Sequence, residues 1–444
     1  MRTLALVDGE HHPPVMRAAL DEARGRGHTI VAALLVGGTE KLAAAGPPDL
    51  GVPVVEIVGE DRMQALRAAI GRHRPDVILD LSDEPVLGYR ERMELAAVAL
   101  VAGVPYVGAD FRLEPPPAEP PVDAPTLAVI GTGKRTGKTA IAGAAARLAG
   151  RRGLEPVMVA MGRGGPPEPT VVPAGSVDLD HLLGLVAAGE HAASDYLEDA
   201  LTTGVTTVGA RRAGGGLAGA PYLSNVREAA EAAASLRPGL VVLEGSGAAI
   251  PPVAWDAGVL VVPASVPPEY LGGYLGPYRL LRSDLVVVTM ATGPSGPENL
   301  SALRSLVRRY LGDASFIATD FAPVPLADVR GRDAFFATTA SPGVVEGLIR
   351  RLEADHGCRV VGWSARLADR AGLAEDLGAV QGYDVLLTEL KAAAVDTGVA
   401  AAIERGAEVV FVDNRAEATE GSVDLDTALG RAIDLARARA NDRR

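Results

Sequence analysis

The chain has 444 residues, which is too many for one ordinary hydrophobic core and suggests two or three domains. Its formal net charge of −13 argues against a nucleic-acid or membrane-surface protein, because both partners need a basic face. The single cysteine, Cys358, excludes an internal disulfide, and the apolar runs are shorter than the ~20 residues that span a bilayer. We therefore expect a cytoplasmic protein that binds neither nucleic acid nor membrane.

The first 112 residues alternate short apolar strands with amphipathic helices. LALVDG precedes the helical stretch HPPVMRAALDEARGRG, and HTIVAALLVGG and DVILDLSD continue the pattern. This alternation predicts βαβ units and a Rossmann-like parallel sheet over residues 1–112. Polar residues follow two of the predicted strands: His11, His12, Asp83, Glu84, Arg90 and Arg92. No third metal ligand stands at a fixed spacing from the two histidines, so we interpret these side chains as polar loop residues or anion contacts.

A second α/β region follows the segment 113–125, whose six prolines predict a stiff extended linker. Six strands are predicted in the next domain, 126–330, at residues 126–130, 156–160, 240–244, 259–262, 285–290 and 315–318. Residues 331–444 alternate again and form a C-terminal α/β block, which either packs separately or extends the middle sheet. The final stretch, RAIDLARARANDRR, predicts a charged terminal helix that frays.

The most informative stretch is VIGTGKRTGKTAIAG, in which a β-branched run gives way to glycine, lysine and threonine and then to a helix former. In this context Gly137-Lys138-Thr139 indicates a phosphate-binding loop, because glycines allow backbone N–H groups to surround phosphate oxygens. Lys138 would reach the β- and γ-phosphates of a nucleoside triphosphate, and the Thr139 hydroxyl would ligate Mg²⁺. The nucleotide-binding residues are then Gly131, Thr132, Gly133, Lys134, Arg135, Thr136, Gly137, Lys138, Thr139 and Ala140.

The alternative interpretation of this loop is a glycine-rich turn that binds nothing, but other features argue for the nucleotide. Only four of the 43 basic residues are lysines, yet Lys134 and Lys138 stand within five positions of each other. Glu244 ends the apolar run LVVLE, where a carboxylate either holds Mg²⁺ or caps the next turn. Asp195 follows Ser194, a candidate helix cap, and suits either the helix dipole or the metal.

Two glycine–arginine stretches predict a binding site for an anionic substrate. Arg163, Gly164 and Gly165 follow a predicted strand, and arginine binds phosphate with two parallel hydrogen bonds. Arg211 and Arg212 precede three glycines, which predicts either a flexible basic lid or a solvated surface loop. Both stretches together favour a substrate with more than one phosphate.

The loop form G-T-x-x-x-x-G-K-T has Thr132 where the usual pattern has glycine, and in this respect it resembles dethiobiotin synthetase. A longer set of stretches resembles the cyclic 2,3-diphosphoglycerate synthetases over nearly the whole chain: VDGEHHPP, DLSDEPVLGYRER, VGADFRLEPP, GTGKRTGKTA, MGRGGP, HAASDYLEDA, LEGSGAAIPP, ATDFAPVP and TELKAAAVDTG.

The resemblance implies ATP-driven closure of a phosphoanhydride between the two phosphates of 2,3-bisphosphoglycerate, with release of ADP and phosphate. It also implies a homodimer. Lys138, with Lys134 as a helper, would act on the transferring phosphoryl group. Thr139, Glu244 and Asp195 would hold Mg²⁺, and Arg163, Gly164, Gly165, Arg211 and Arg212 would hold the bisphosphate, with Arg163 also catalytic.

Two other functions use the same loop. One is an ATP-dependent enzyme that activates a carboxylate, as dethiobiotin synthetase does. The other is a nucleotide-switched ATPase, against which stand the glycine at position 133, where such switches commonly carry lysine, and the acidic charge of the chain.

Overall fold

The computed structural model describes residues 1–38, 48–59, 61–293, 296–312, 316–419 and 423–443. These residues form two compact units. The first consists of Met1–Pro117 together with Pro267–Arg282 and Arg309–Gly312, and the second contains the rest of the described chain. Within the described residues, no helix is both long enough and apolar enough to cross a bilayer.

The elements follow one another in the α/β order that the sequence predicts. The described strands are β1 (Arg2–Val7), β2 (Thr29–Leu35), β3 (Val55–Ile57), β4 (Val77–Asp80), β5 (Tyr106–Val107), β6 (Arg112–Leu113), β7 (Thr126–Gly131), β8 (Val157–Gly162), β9 (Thr170–Val172), β10 (Thr207–Ala213), β11 (Leu223–Ser224), β12 (Val241–Glu244), β13 (Ala257–Pro263), β14 (Leu285–Thr289), β15 (Phe316–Pro325), β16 (Asp333–Ala337), β17 (Arg359–Ser364), β18 (Val385–Thr388) and β19 (Glu408–Ala418). The described helices are α1 (Pro13–Gly25), α2 (Arg62–His73), α3 (Tyr89–Val101), α4 (Lys138–Arg151), α5 (Leu179–Ala187), α6 (Asp195–Thr203), α7 (Val226–Ser235), α8 (Pro268–Gly272), α9 (Gly276–Leu281), α10 (Gly296–Leu311), α11 (Pro342–His356), α12 (Arg370–Ala379), α13 (Ala400–Glu404) and α14 (Leu425–Asp442), with a π-helical turn over Ala394–Val399.

The first unit has a Rossmann-like sheet with strand order β3-β2-β1-β4-β5-β6, parallel except for β6. Asp8, just beyond β1, is buried and accepts hydrogen bonds from the backbone N–H groups of Glu10, His11 and Asp83. The His11 ring also contacts Asp8, at 2.8 Å from Nδ1 to Oδ1. The polar side chains after β1 thus bind the loops to each other, in line with their interpretation as polar loop residues.

The second unit contains a long mixed sheet, whose described strands run β11-β10-β8-β12-β7-β13-β14-β15-β19-β18-β16-β17. The six strands predicted for the middle domain are all present. In sheet order they are β8, β12, β7, β13, β14 and β15, and neighbours within this set pair in parallel. Residue 315 of the last predicted strand lies outside the described residues. Leu127, Val129 and Ile130 of β7 have no exposed surface, as expected for a parallel strand covered on both faces. The fold class predicted from the sequence is therefore confirmed.

The C-terminal block continues this same sheet, because β19 pairs antiparallel with β15 and then in parallel with β18. Helix α14 packs Leu429, Ile433 and Ala436 against the core beneath β7 and β13. The prediction of a frayed terminal helix is thus wrong. Arg443 forms an ion pair with buried Asp256, so a cationic tail that looks solvated in the sequence is fixed to the sheet.

Candidate active site

The phosphate loop lies between β7 and α4, at the carboxyl edge of the parallel sheet. β7 has β12 on one side and β13 on the other, and β8 follows β12, so the segments after β7, β8 and β12 end beside one another. Arg135 (φ 56°) and Gly137 (φ 86°) adopt left-handed conformations just before the helix begins at Lys138. A Cβ at Gly137 would have to displace the ring of Phe321, and the positive φ of this residue favours glycine at the turn.

Lys138 folds back over its own loop. Its Nζ donates to the Gly133 carbonyl at 2.8 Å and to Oγ1 of Thr136 at 3.2 Å. The side chain is buried, and desolvation lowers the Lys138 pKa to about 8 despite the opposing charges of Glu244 and Asp195. In a phosphate loop the lysine at this position reaches the β- and γ-phosphates. Lys134 and Arg135 of the same loop are exposed.

Thr139 and Glu244 form the core of a candidate magnesium site. Oγ1 of Thr139 donates to Oε1 of Glu244 at 2.8 Å, while Oε2 of Glu244 is buried and the carboxyl group of Asp199 lies beside this carboxylate. Burial raises the Glu244 pKa, and adjacent Asp199, fully buried among carboxylates, has a pKa raised well above its ordinary value. Within the described chain, no three His, Cys, Asp or Glu side chains could hold a metal without other ligands.

The geometry fits Mg²⁺ all the same, because this ion is usually held by one or two carboxylates together with substrate phosphates. The hydroxyl of Thr139 and the oxygens of Glu244 would supply the protein ligands. The observation that favours the ion is the buried carboxylate of Glu244 at the end of β12, held beside the hydroxyl of Thr139.

Asp195 is the first residue of α6, and its charge interacts with Lys138, Arg163 and Lys391. Part of its surface reaches solvent, yet the surrounding protein desolvates the carboxyl enough to raise its pKa. Ser194 holds the helix N-cap position, but its hydroxyl donates to the carbonyls of His191 and Gly164 instead of capping α6. The predicted side-chain cap is therefore wrong, and Ser194 instead joins α6 to the loop after β8.

Two arginines converge beside the loop that follows β12. Arg212 is buried and donates to the Gly214 carbonyl at 2.9 Å and to the Ser246 carbonyl at 2.8 Å. A Cβ at Gly247 would lie 2.7 Å from Nη2 of Arg163 and 3.2 Å from Nη2 of Arg212, so both guanidinium groups reach the same point. Two guanidinium groups that reach the same point indicate an anion-binding site.

The placement of Arg211 and Arg212 on a flexible loop is wrong, since both lie in β10. Successive side chains of a strand point to opposite faces, and here Arg211 is exposed whereas Arg212 is buried. The two arginines therefore do not act as one pair. The stretch TTVGARRA begins with β-branched residues, and this start already predicts a strand.

Gly165 allows the loop after β8 to lie against β10. A Cβ there would stand 1.9 Å from the carbonyl oxygen of Ala210 and 2.9 Å from the nitrogen of Arg211. Backbone atoms of a paired strand cannot move aside, so we expect Gly165→Ala to lower the free energy of unfolding by about 1–3 kcal/mol or more. Urea unfolding followed by circular dichroism measures this change.

The neighbouring glycine supplies the control for that experiment. A Cβ at Gly164 would meet only Cδ2 of exposed His191, at 3.1 Å, and that ring can turn away. Gly164→Ala should therefore unfold close to the wild type. Equal stability of the two alanine variants would contradict the close approach at Gly165.

The C-terminal block adds charged residues that the sequence analysis did not assign to the site. Lys391 forms an ion pair with Glu198 of α6, at 3.0 Å from Nζ to Oε1, and interacts with Asp195 and Glu389. The available signal was composition, since Lys391 is one of only four lysines. The spacing of residues along the sequence gave no such signal, because residues 198 and 391 come into contact only when the sheet has formed.

Comparison with known proteins gives matches over nearly the whole chain. Family models match residues 2–114, 126–319 and 325–415, described as the N-terminal, P-loop and C-terminal domains of cyclic 2,3-diphosphoglycerate synthetase. The protein of that name from Rubrobacter xylanophilus is 49% identical over 100% of both chains. Those from Methanothermobacter thermautotrophicus and Methanothermus fervidus are 40% and 38% identical over 99% and 98% of this chain and 98% and 97% of their own. This chain therefore belongs to the cyclic 2,3-diphosphoglycerate synthetase family.

Proposed function

We propose that this protein uses ATP to cyclise 2,3-bisphosphoglycerate, forming cyclic 2,3-diphosphoglycerate, ADP and phosphate. The observation that carries this proposal is the match over 100% of both chains to a protein of that name, with all three family domains in order. The phosphate loop and the convergent arginines support it, because the reaction must hold a triphosphate and a bisphosphate together. ATP as the nucleotide follows from the family.

The reaction needs two phosphoryl transfers. In the first, an oxygen of one substrate phosphate attacks the γ-phosphorus, and the bond between that phosphorus and the bridging oxygen to ADP breaks. In the second, an oxygen of the other substrate phosphate attacks the phosphorus of the first, and the transferred group leaves as inorganic phosphate. The ring closes with that bond, and the atoms of ATP and substrate are all accounted for.

The protein contributes position and positive charge to these steps. Phosphate oxygens are already anionic nucleophiles, so no side chain has to remove a proton, and charge neutralisation dominates. Lys138 would lie on the transferring phosphoryl group, with exposed Lys134 as a helper. Arg163 and Arg212 would bind the bisphosphate, with Gly164 and Gly165 allowing the backbone near it. Arg211 lies on the other face of β10, so it would not bind the bisphosphate together with Arg163 and Arg212.

Mg²⁺ would be held by Thr139 and Glu244, with Asp195 as a further candidate through water. When bound, the ion would supply charge neutralisation between the β- and γ-phosphates. We further place the reaction in the cytoplasm, and we propose the homodimer that the family resemblance implies as the oligomeric state.

Phosphorus NMR of 2,3-bisphosphoglycerate with ATP, Mg²⁺ and protein tests the proposal. We expect new phosphoanhydride resonances together with ADP and inorganic phosphate in equal amounts. An unchanged bisphosphate in the presence of bound ATP would contradict the cyclase function. Turnover of a carboxylate substrate would then support the activating enzyme of the dethiobiotin synthetase type.

A further inference from the structure

Lys391 comes from the C-terminal block and lies outside residues 126–319, which match the P-loop domain of the family. It follows β18, and its backbone N–H donates to the Glu389 carbonyl at 2.9 Å. Its amine reaches Glu198 on α6, the helix that begins with Asp195. A residue remote in sequence thus enters the charged group around the phosphate loop.

The segment that carries Lys391 is held rigidly. Glu389 is buried and accepts hydrogen bonds from Oγ1 of Thr338 at 2.8 Å, from Oγ1 of Thr339 at 2.7 Å and from Nδ2 of Asn414 at 2.8 Å. These donors follow β16 or lie in β19, on either side of β18. Glu389 is therefore fixed by contacts on both sides of β18, and Lys391 follows it by two residues.

Asp195 connects this amine to the nucleotide site. Lys138 interacts with Glu244, Asp195 and Arg212, whereas Lys391 interacts with Glu198, Glu389 and Asp195. Arg163 also acts on Asp195. Lys391 is thus on the side of the site that holds Asp195 and Arg163, and its side chain keeps 34% of its surface exposed. The side chain is therefore held by its ion pair with Glu198 and is still partly exposed to solvent.

We propose that Lys391 is a substrate-binding residue that contacts a phosphate of 2,3-bisphosphoglycerate and not the phosphates of ATP. This assignment rests on the proposed function. The triphosphate already has the loop and Lys138, while the second anion needs cations farther from the loop. Arg163 and Arg212 supply two of these, and Lys391 supplies a third from another part of the chain. The C-terminal block would then complete the substrate site.

Lysine at this position is informative because the chain otherwise uses arginine almost everywhere. An ion pair with Glu198 and a contact with a phosphate could each use either cation, but the ammonium of lysine has three rotatable donors and can donate to Glu198 and to a ligand at the same time. The competing explanation is that Lys391 only neutralises buried Glu198. Removing Glu198 without removing the amine separates the two.

The experiment is calorimetric titration of the protein with 2,3-bisphosphoglycerate in the presence of a non-hydrolysable ATP analogue. Lys391→Met should weaken bisphosphate binding about 10- to 100-fold, the range expected for a lost hydrogen bond between charged groups. Binding of the ATP analogue alone should not change. Glu198→Gln, which keeps the amine, and Arg330→Met, which removes an exposed cation paired with Asp328, should bind the bisphosphate as the wild type does.

Equal weakening in Lys391→Met and Glu198→Gln would overturn the proposal in favour of the structural ion pair. Unchanged binding in Lys391→Met would also overturn it, as would a wild-type protein that does not bind the bisphosphate. Binding does not require turnover. A wild type that binds without forming the cyclic product, and loses that binding in Lys391→Met, would refute the proposed function and support this residue assignment.

A second measurement needs no variant and therefore does not depend on folding. Lysine acetylation followed by mass spectrometry can follow each position separately, because the sequence has only four lysines. The bisphosphate should protect Lys391, and the ATP analogue alone should not. Acetylation of Lys391 at the same rate with and without the bisphosphate would overturn the proposal.

Discussion

Lys138→Met should lower the rate of ATP-dependent cyclisation by about 10²- to 10³-fold, the loss typical of removing one donor that stabilises transition-state charge. Methionine keeps most of the side-chain volume and removes the ammonium, which otherwise lies between Gly133 and Thr136. The measurement is the initial rate of ADP release, with product formation followed by phosphorus NMR. Both signals should fall together, because phosphoryl transfer comes before ring closure.

Lys134→Met is the matched comparison, since it removes the same charge from the same loop. Lys134 is exposed, so solvent weakens its attraction to a phosphate, whereas Lys138 is buried. The loss in Lys134→Met should accordingly be smaller. Equal losses would contradict the distinct role of Lys138, and thermal unfolding of both variants shows whether the fold is kept.

The part of the site that could be predicted from sequence is the part built from contiguous residues. A phosphate loop consists of one strand end, one turn and one helix start, so Gly137, Lys138 and Thr139 carry their own context. Glu244 could be added because the last residue of a parallel strand lies at the same sheet edge. Neither inference required knowledge of how distant strands pair.

The residues that were misplaced or missed depend on long-range pairing. Arg211 and Arg212 look like loop residues beside three glycines, but pairing of β10 with β8, β9 and β11 makes them strand residues. Lys391 reaches Glu198 only because β19 pairs antiparallel with β15 and in parallel with β18, so that β18 belongs to the same sheet as the phosphate loop. Sequence spacing contains no signal for either event.

The terminal helix shows the same limit in the fold. Its alternating arginines suggest a solvated, frayed end, yet Leu429, Ile433 and Ala436 form an apolar stripe buried in the core. Arg439 pairs with Asp284 at 2.8 Å. The prediction gave more weight to the charged residues of this helix than to the spacing of its apolar residues. In the folded chain the apolar stripe determines where the helix packs.

Glu244→Gln should raise the Mg²⁺ concentration needed for half-maximal rate by about 10- to 100-fold, the loss typical of groups that support a metal site. Glutamine keeps an oxygen that can accept from Thr139 and removes the negative charge beside it. The measurement is a Mg²⁺ titration of the initial rate at fixed ATP. Because the charge is lost without loss of volume, saturating Mg²⁺ should restore part of the rate.

Glu198→Gln is the control, since it removes another buried carboxylate from the same group without a contact to Thr139. Its Mg²⁺ dependence should match that of the wild type, and a parallel shift in both variants would mean that total negative charge, not a ligand at Glu244, sets the affinity. Thermal unfolding adds a second readout. Glu244 is buried beside the Asp199 carboxyl group, so its replacement by a neutral amide should not lower stability. A loss of Mg²⁺ affinity with retained stability would place the function of Glu244 in binding the ion and not in holding the fold.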